Sequence, residues 1–105
     1  MIYEDFIEKV KGLSFSTYEA DFPKSKNPPV VVYQKGVDKS AYADGKNVFQ
    51  QKEVVLHLIT ERKDIKSQAT LEKWLKDNNF SAKMSDRFWD PDNNFYITEY
   101  RFYIL

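Results

Sequence analysis

The sequence predicts an α+β domain with a mostly antiparallel sheet of four to five strands and two helices packed on one face. Three observations lead to this class. Two segments carry apolar residues at helical spacing, several others are rich in β-branched and aromatic residues, and turn-forming residues separate them. A chain of 105 residues has the size of one domain, so residues 1–105 are expected to share a single core.

The first elements are predicted from spacing and from turn residues. Residues 2–12 form a helix, because apolar residues recur at four-residue spacing and Gly12 follows; these residues are Ile2, Phe6 and Val10. Residues 14–29 hold three of the four prolines and are interpreted as a linker that runs into a strand. That strand is the β-branched run Val30–Tyr33, which Gly36 closes.

A turn and a long strand follow. Residues 37–47 contain the pair Asp44-Gly45 between β-forming residues, which favours a hairpin that is partly strand. The longest strand is predicted from Val48 to Glu61. Its alternation assigns to one face the apolar residues 48, 54, 56 and 58. The other face is shared by Phe49, Gln51, Glu53, Val55, His57 and Ile59.

The second helix is predicted from Ile65 to about Asn78, with Asp64 as its N-cap and Asn79 beyond its end. Its core-facing positions share an arc of roughly 160°, since each residue of a helix turns by about 100°. These positions are Ile65, Ala69, Leu71 and Leu75, with Trp74 at the edge of the arc.

The C-terminal part predicts an antiparallel hairpin, with strands at 80–89 and 94–105 and a turn at 90–94. Alternation directs Tyr96, Tyr100, Phe102 and Ile104 to the core. It leaves Phe95, Ile97 and Tyr103 on the other face, with Glu99 and Arg101. Because this face also carries Phe49, Val55 and Ile59 of the long strand, the sheet is too apolar on both sides for two small helices to cover it. The surplus favours a protein interface, although a third layer within the monomer would also explain it.

Composition excludes several classes of function. Lys and Arg total 16, as do Asp and Glu, so no net charge attracts a nucleic-acid backbone or an anionic membrane. We therefore expect no membrane partner and no sequence-specific nucleic acid. The chain has no cysteine, and its N-terminus lacks the basic and apolar regions of a signal peptide, so synthesis and residence in a cytoplasm are expected.

No motif indicates catalysis or a cofactor. His57 is the only histidine, and no nucleophile stands at a matching spacing. The carboxylates Glu53, Glu61, Asp86 and Glu99 are interpreted as solvated sheet positions. Asp90, Asp92 and Asn94 begin like a calcium loop, but Phe95 and Arg101 occupy the positions that need glycine and glutamate. We predict that the protein is not an enzyme and binds neither a metal nor a cofactor.

Residues 28–62 resemble the tail terminator or tail-completion proteins of long-tailed bacteriophages and of prophages of Gram-positive hosts. The resemblance rests on a Pro-Val-hydrophobic-Tyr strand, a loop containing YADGK and a long strand that ends near LITERKD. It continues in a helix like SQATLEKWLKDNN and in a closing pair of strands rich in Tyr and Phe. The same order of elements covers most of the chain, and the first 25 residues match least.

The resemblance implies a structural phage protein. Such proteins form a ring, usually of six subunits, on the head-proximal end of the tail tube, where they stop tail polymerisation and provide the surface that joins the head. The implied partners are other copies of the chain, the tail tube protein and the head–tail connector, with DNA passing through the ring. The implied location is the virion tail, and the host cytoplasm during assembly. Two alternatives remain: a neck or head-completion protein, and a small ligand-binding α+β domain with a pocket near His57 or Glu99.

The residues expected at subunit or partner contacts form two groups. In the loop, Tyr42 is the apolar anchor, and Asp44 and Gly45 set the tip. On the sheet face away from the core, the expected contacts are Phe49, Ile59, Phe95, Ile97 and Tyr103.

Overall fold

The computed structural model describes residues 3–20, 28–36, 39–43, 46–62 and 64–104, with the backbone alone at 39–43 and 46–51. The elements follow the order α1 (Tyr3–Val10), β1 (Ser16–Glu19), β2 (Val30–Lys35), β3 (Lys39–Ala43), β4 (Lys46–Thr60), α2 (Ile65–Asp77), β5 (Lys83–Asp90) and β6 (Phe95–Ile104). The predicted α+β class and the mostly antiparallel sheet are confirmed. No helix in these ranges has the length and apolar character needed to cross a membrane.

The sheet has six strands, five of them in the order β1-β2-β4-β6-β5, and β3 pairs with β4. Only β1 and β2 run parallel; the other pairings among the described strands are antiparallel. The interpretation of residues 14–29 as a linker is wrong over β1. This strand has only four residues, of which the two at its ends are exposed. Four residues are too few to show an alternation of apolar and polar side chains, so the strand is recognised only by its backbone pairing with β2.

Helix α1 packs through one apolar stripe, as its spacing predicts. Phe6 and Val10 are buried, and the backbone carbonyl of Lys9 accepts a hydrogen bond of 3.0 Å from the Gly12 amide just beyond the helix. The Tyr3 hydroxyl donates a hydrogen bond of 3.0 Å to the Glu19 carboxylate. This bond joins the start of α1 to the end of β1.

Helix α2 begins where the sequence predicts. The Asp64 carboxylate accepts hydrogen bonds from the Ser67 amide at 2.9 Å and from the Ser67 hydroxyl at 2.7 Å, which caps the helix. Leu71 and Leu75 are buried as predicted, and Trp74 packs against the core. The prediction is wrong for Ile65, whose exposed fraction is 67%, and for Ala69, which is also exposed. The buried stripe therefore occupies only the C-terminal half of α2.

The main core lies between the helices and the central strands. Val54 is paired with Phe102, and Leu56 with Tyr100, so the predicted core alternation of β4 and β6 is confirmed at these positions. Tyr96, also predicted for the core, is only partly buried, and the side chain of Val48 lies outside the described residues. Phe102 contacts Phe6 of α1 and Phe80, with ring centroids 5.7 and 4.9 Å away. Buried side chains of both helices belong to this one cluster. This shared cluster supports packing of both helices on one face of the sheet. That arrangement stays a prediction.

Candidate assembly surface

The sheet residues that alternate with the main core line what we call the second face. A small apolar cluster lies there, formed by the buried side chains of Val30, Val32 and Ile59. Partly buried Tyr18, Phe95 and Ile97 pack against it. The cluster spans β1, β2, β4 and β6, so the second face is apolar near the ends of β4 and β6 that lie beside the β5–β6 turn.

A polar network occupies the middle of the second face. His57 Nε2 donates a hydrogen bond of 3.0 Å to Glu99 Oε2, directly across from it on β6. Ser85 Oγ donates to Glu99 Oε1 at 2.8 Å, and Arg101 Nε donates to the same oxygen. Arg101 also donates to Glu53 Oε1 at 3.0 Å. One guanidinium therefore bridges two carboxylates.

The network holds Glu99 in its ionised form. Burial raises the pKa of this carboxyl, but hydrogen bonds from His57, Arg101 and Ser85 outweigh that effect and lower the pKa to about 2. The exposed fraction of the Glu99 side chain is only 15%. The interpretation of Glu53 and Glu99 as solvated sheet positions is therefore wrong, whereas Glu61 and Asp86 are exposed.

Gly36 makes room for the second carboxylate of the network. Its amide donates a hydrogen bond of 2.9 Å to the Glu53 carbonyl, and a Cβ at this position would lie 2.0 Å from Glu53 Oε1. The Glu53 side chain thus passes over the glycine backbone to reach Arg101 and the Tyr103 hydroxyl, which donates at 3.2 Å. Only a residue without a side chain permits this approach.

Strand β5 carries large apolar side chains at the surface. The exposed fractions of Met84, Phe88 and Trp89 are 46%, 41% and 43%. Phe88 pairs with Ile97 and so lies on the second face, whereas Trp89 pairs with Tyr96, with ring centroids 4.9 Å apart. β5 forms one end of the strand order, so these side chains line an edge of the sheet.

A two-stranded arm extends the sheet in the direction of its strands. We define the arm as residues 39–43 and 46–51, which pair with each other from Lys39↔Gln51 to Ala43↔Lys46. Strand β2 pairs only with positions 54–59 of β4, and β6 only with positions 52–60. In the described chain, residues 46–51 therefore have a strand on one side only. At about 3.3 Å per residue, six residues reach roughly 20 Å beyond the sheet.

The structure brings some of the predicted contact residues together. Ile59, Phe95 and Ile97 meet in the small cluster, but Ile59 is 7% exposed, because Val30 and Val32 pack beside it. Tyr103 lies on the same face, at the end of β6 nearest the arm, and is 36% exposed.

The remaining predicted contacts lie in the arm or at its tip. Tyr42 pairs with Asn47 and Phe49 with Ala41 in the backbone of the arm, on either side of an irregularity in the pairing. Asp44 and Gly45 lie outside the described residues. That these positions contact a partner stays a prediction.

Sequence reasoning missed the polar network. It identified the aromatic residues of the last hairpin, including Phe88 and Trp89, but did not place these two among the expected contacts. Alternation had already assigned Glu53 and His57 to one face of β4, and Glu99 and Arg101 to the matching face of β6. Matching the charges of these two faces could have suggested the register that places His57 opposite Glu99, since opposite charges directly across two strands stabilise their pairing.

The network does not have the geometry of a nucleophile and its base. Ser85 donates to Glu99 and not to His57, so the histidine is not placed to accept the hydroxyl proton. In the β5–β6 turn, Asp90 accepts a hydrogen bond from the Asp92 amide at 3.0 Å and one from the Asn93 side chain at 2.9 Å. Both Asp90 oxygens therefore stabilise the turn. That the chain is neither an enzyme nor a metal binder stays a prediction.

Two surface grooves lie away from the network. One is next to the C-terminal end of α2 and is lined by Glu72, Leu75, Lys76, Asn79, Phe80, Ser81 and Ala82. The other is lined by Pro28, Pro29, Thr60, Glu61, Arg62 and Asp64. Neither groove includes His57 or Glu99, the residues that a ligand-binding pocket was expected to contain. Compared with known proteins, the chain matches no family model and no curated protein.

Proposed function

We propose that this protein is a structural component of a long-tailed bacteriophage or prophage that forms a ring on the head-proximal end of the tail tube. In this role it stops tail polymerisation and provides the surface to which the head connector binds. Its partners are further copies of the chain, the tail tube protein and the connector, and it resides in the host cytoplasm before it joins the virion. DNA passes through the ring.

The observation that carries this proposal is the arm. The chain extends over 50 × 27 × 22 Å and has a radius of gyration of 15.0 Å. A compact domain of about 100 residues has a radius of gyration of about 13 Å. Two strands that leave the sheet without a described neighbour on either outer edge have backbone hydrogen-bonding groups available to another chain. Such an arm suits a subunit that is completed by its neighbours.

The second face and β5 add a broad surface for contact. Phe88 and Tyr103 combine large apolar rings with partial exposure, and the half-exposed Arg101 lies between the carboxylates that it bridges. Aromatic residues and arginine are enriched at protein interfaces. The balanced overall charge leaves association to these contacts and does not favour nonspecific nucleic-acid binding.

The proposal is tested by mixing the purified protein with tail tubes of a phage that lacks its own terminator. We expect native mass spectrometry to detect a closed oligomer, and negative-stain images to locate a ring at one end of each tube. Addition of the protein should also limit tube length during polymerisation. A bovine albumin control at the same concentration should leave tube length unchanged.

The same experiment separates the alternatives. Binding to isolated head connectors, without any effect on tail tubes, would support a neck or head-completion protein instead. A chain that stays monomeric with tubes and with connectors would contradict an assembly role altogether. In that case a screen for small ligands around the groove at Pro28 and Arg62 would be the next step.

A further inference from the structure

We infer that the arm of one copy adds to the edge strand β5 of a neighbouring copy, so that the sheets of adjacent subunits join through backbone hydrogen bonds. This inference rests on the proposed ring and identifies the contact that builds it. Strand addition to an open sheet edge is a common mode of protein recognition, in which main-chain hydrogen bonds supply affinity and side chains supply specificity.

The acceptor edge is β5 because it is long and exposes three large apolar side chains. It spans eight residues and pairs, among the described strands, with β6 alone. Exposed edge strands are usually short, or protected by charges and bulges. β5 has a bulge near Ser85 and four charged residues, but Met84, Phe88 and Trp89 still expose large apolar surfaces along it. The five residues 86–90 beyond the bulge keep a regular register with β6.

The opposite edge of the sheet is a weaker acceptor. β1 has four residues, and no large apolar side chain of β1 is among the exposed ones of the described chain. Its Glu19 carboxylate is already hydrogen-bonded to the Tyr3 hydroxyl. A five- or six-residue strand of the arm therefore matches the length of β5 better than that of β1.

Charge favours the same pairing. Residues 39–52, which contain the arm, carry three lysines and one aspartate, a net charge of +2. Residues 86–92, which contain the distal half of β5 and its turn, carry three aspartates and one arginine, a net charge of −2. The Arg87 guanidinium is also occupied by the Gln68 side chain of α2. Complementary charges steer association and fix the register of an interface.

The contact joins two different surfaces of the chain, the arm of one copy and β5 of the next. Such heterologous contacts propagate from subunit to subunit and close into a ring when the rotation permits. A contact between two arms, or between two β5 strands, would instead give a two-fold dimer. Contact between an arm and β5 therefore permits a ring, whereas either symmetric contact gives a dimer.

Cross-linking tests the contact directly, because the natural chain contains no cysteine. Equal amounts of Lys46→Cys and Asp86→Cys proteins are mixed and treated with a short bifunctional thiol reagent. We expect a cross-linked pair that mass spectrometry assigns to positions 46 and 86. Lys46→Cys mixed with Glu8→Cys, whose exposed side chain lies on α1, is the control and should give no more than background.

Charge exchange provides a second readout. Lys39→Glu with Lys46→Glu, or Asp86→Lys with Asp92→Lys, should weaken association by about tenfold, since like charges then face each other. Combining all four changes in one chain should restore association. The folding of each variant is checked by circular dichroism.

The outcomes separate the inference from the proposed function. A ring that forms without the 46–86 cross-link and without restoration by charge exchange would overturn the inference and leave the proposed function standing. Cross-links only between two copies of Lys46→Cys would replace it with an arm-to-arm contact. A chain that never associates would overturn both.

Discussion

Glu99 is the side chain on which the polar network depends, and its ionisation gives a test in the pH dependence of stability. Its pKa is lowered from 4.5 to about 2 in the folded chain. A carboxyl with a lowered folded-state pKa stabilises the protein above its unfolded pKa, and that contribution is lost as the pH falls toward 2. We expect Glu99→Gln to lower the free energy of unfolding by about 2 to 3 kcal/mol at pH 6.

The difference between wild type and Glu99→Gln should shrink as the pH is lowered from 5 to 2, measured by urea denaturation at each pH. Glu61→Gln, at an exposed position just after β4, is the control and should behave like wild type throughout. A difference that is constant over this range would mean that Glu99 acts through packing and not through its charge.

Gly36 tests the close approach of Glu53 to the backbone. Because the added methyl group would overlap Glu53 Oε1, Gly36→Ala should displace the carboxylate from Arg101 and Tyr103. A lost pair of hydrogen bonds to a charged group costs about 1 to 3 kcal/mol. In a Glu53→Ala background the same glycine change should cost much less. Equal costs in the two backgrounds, from chemical denaturation, would point to backbone strain instead.

The carboxylate of Asp90 stabilises the conformation of the β5–β6 turn. Both Asp90 oxygens accept hydrogen bonds within the turn, and Asn94 adopts a left-handed conformation with φ of 57°. We therefore expect millimolar calcium to leave the thermal midpoint unchanged. The control is EDTA-treated protein in the same buffer. A saturable rise of several degrees would contradict this, because ligand binding to the folded state alone raises the midpoint.

Strand β6 lies between β4 and β5 and supplies three buried side chains of the core: Tyr100, Phe102 and Ile104. Deletion of residues 102–105 removes two of them, and each large buried side chain contributes roughly 2 to 5 kcal/mol. A small domain has a total stability of about 5 to 15 kcal/mol. The truncated chain should therefore fail to fold, as followed by circular dichroism. Phe102→Ala is the milder variant and should fold with a lowered midpoint.

The elements that the sequence predicted well are those with a periodic signal. Alternation along β4 and β6 identified the buried pairs Val54–Phe102 and Leu56–Tyr100, because a buried face leaves every second residue apolar. β1 was missed because four residues carry no period, and Ile65 was wrongly assigned to the core because helical spacing gives a direction and not a packing partner. The Glu53–Arg101–Glu99 network could not be predicted without the register between β4 and β6, which the sequence of neither strand specifies alone.

The molecule as a whole consists of a sheet domain and an arm. We expect folding to depend on the sheet domain and assembly to depend on the arm, which a deletion can test. Replacing residues 40–46 with an Asn-Gly turn should leave the fold intact, since β2 and β6 pair only with positions 52–60 of β4, outside the arm, and a shorter loop changes closure entropy only slightly. Without the arm's strands, the edge groups available to a neighbour are lost. We expect a melting midpoint close to wild type and no ring in native mass spectrometry or in tail-joining assays. Lys66→Ala, on the exposed side of α2, is the control and should assemble normally. A shortened variant that still forms rings and joins heads to tails would exclude the arm as the assembly contact.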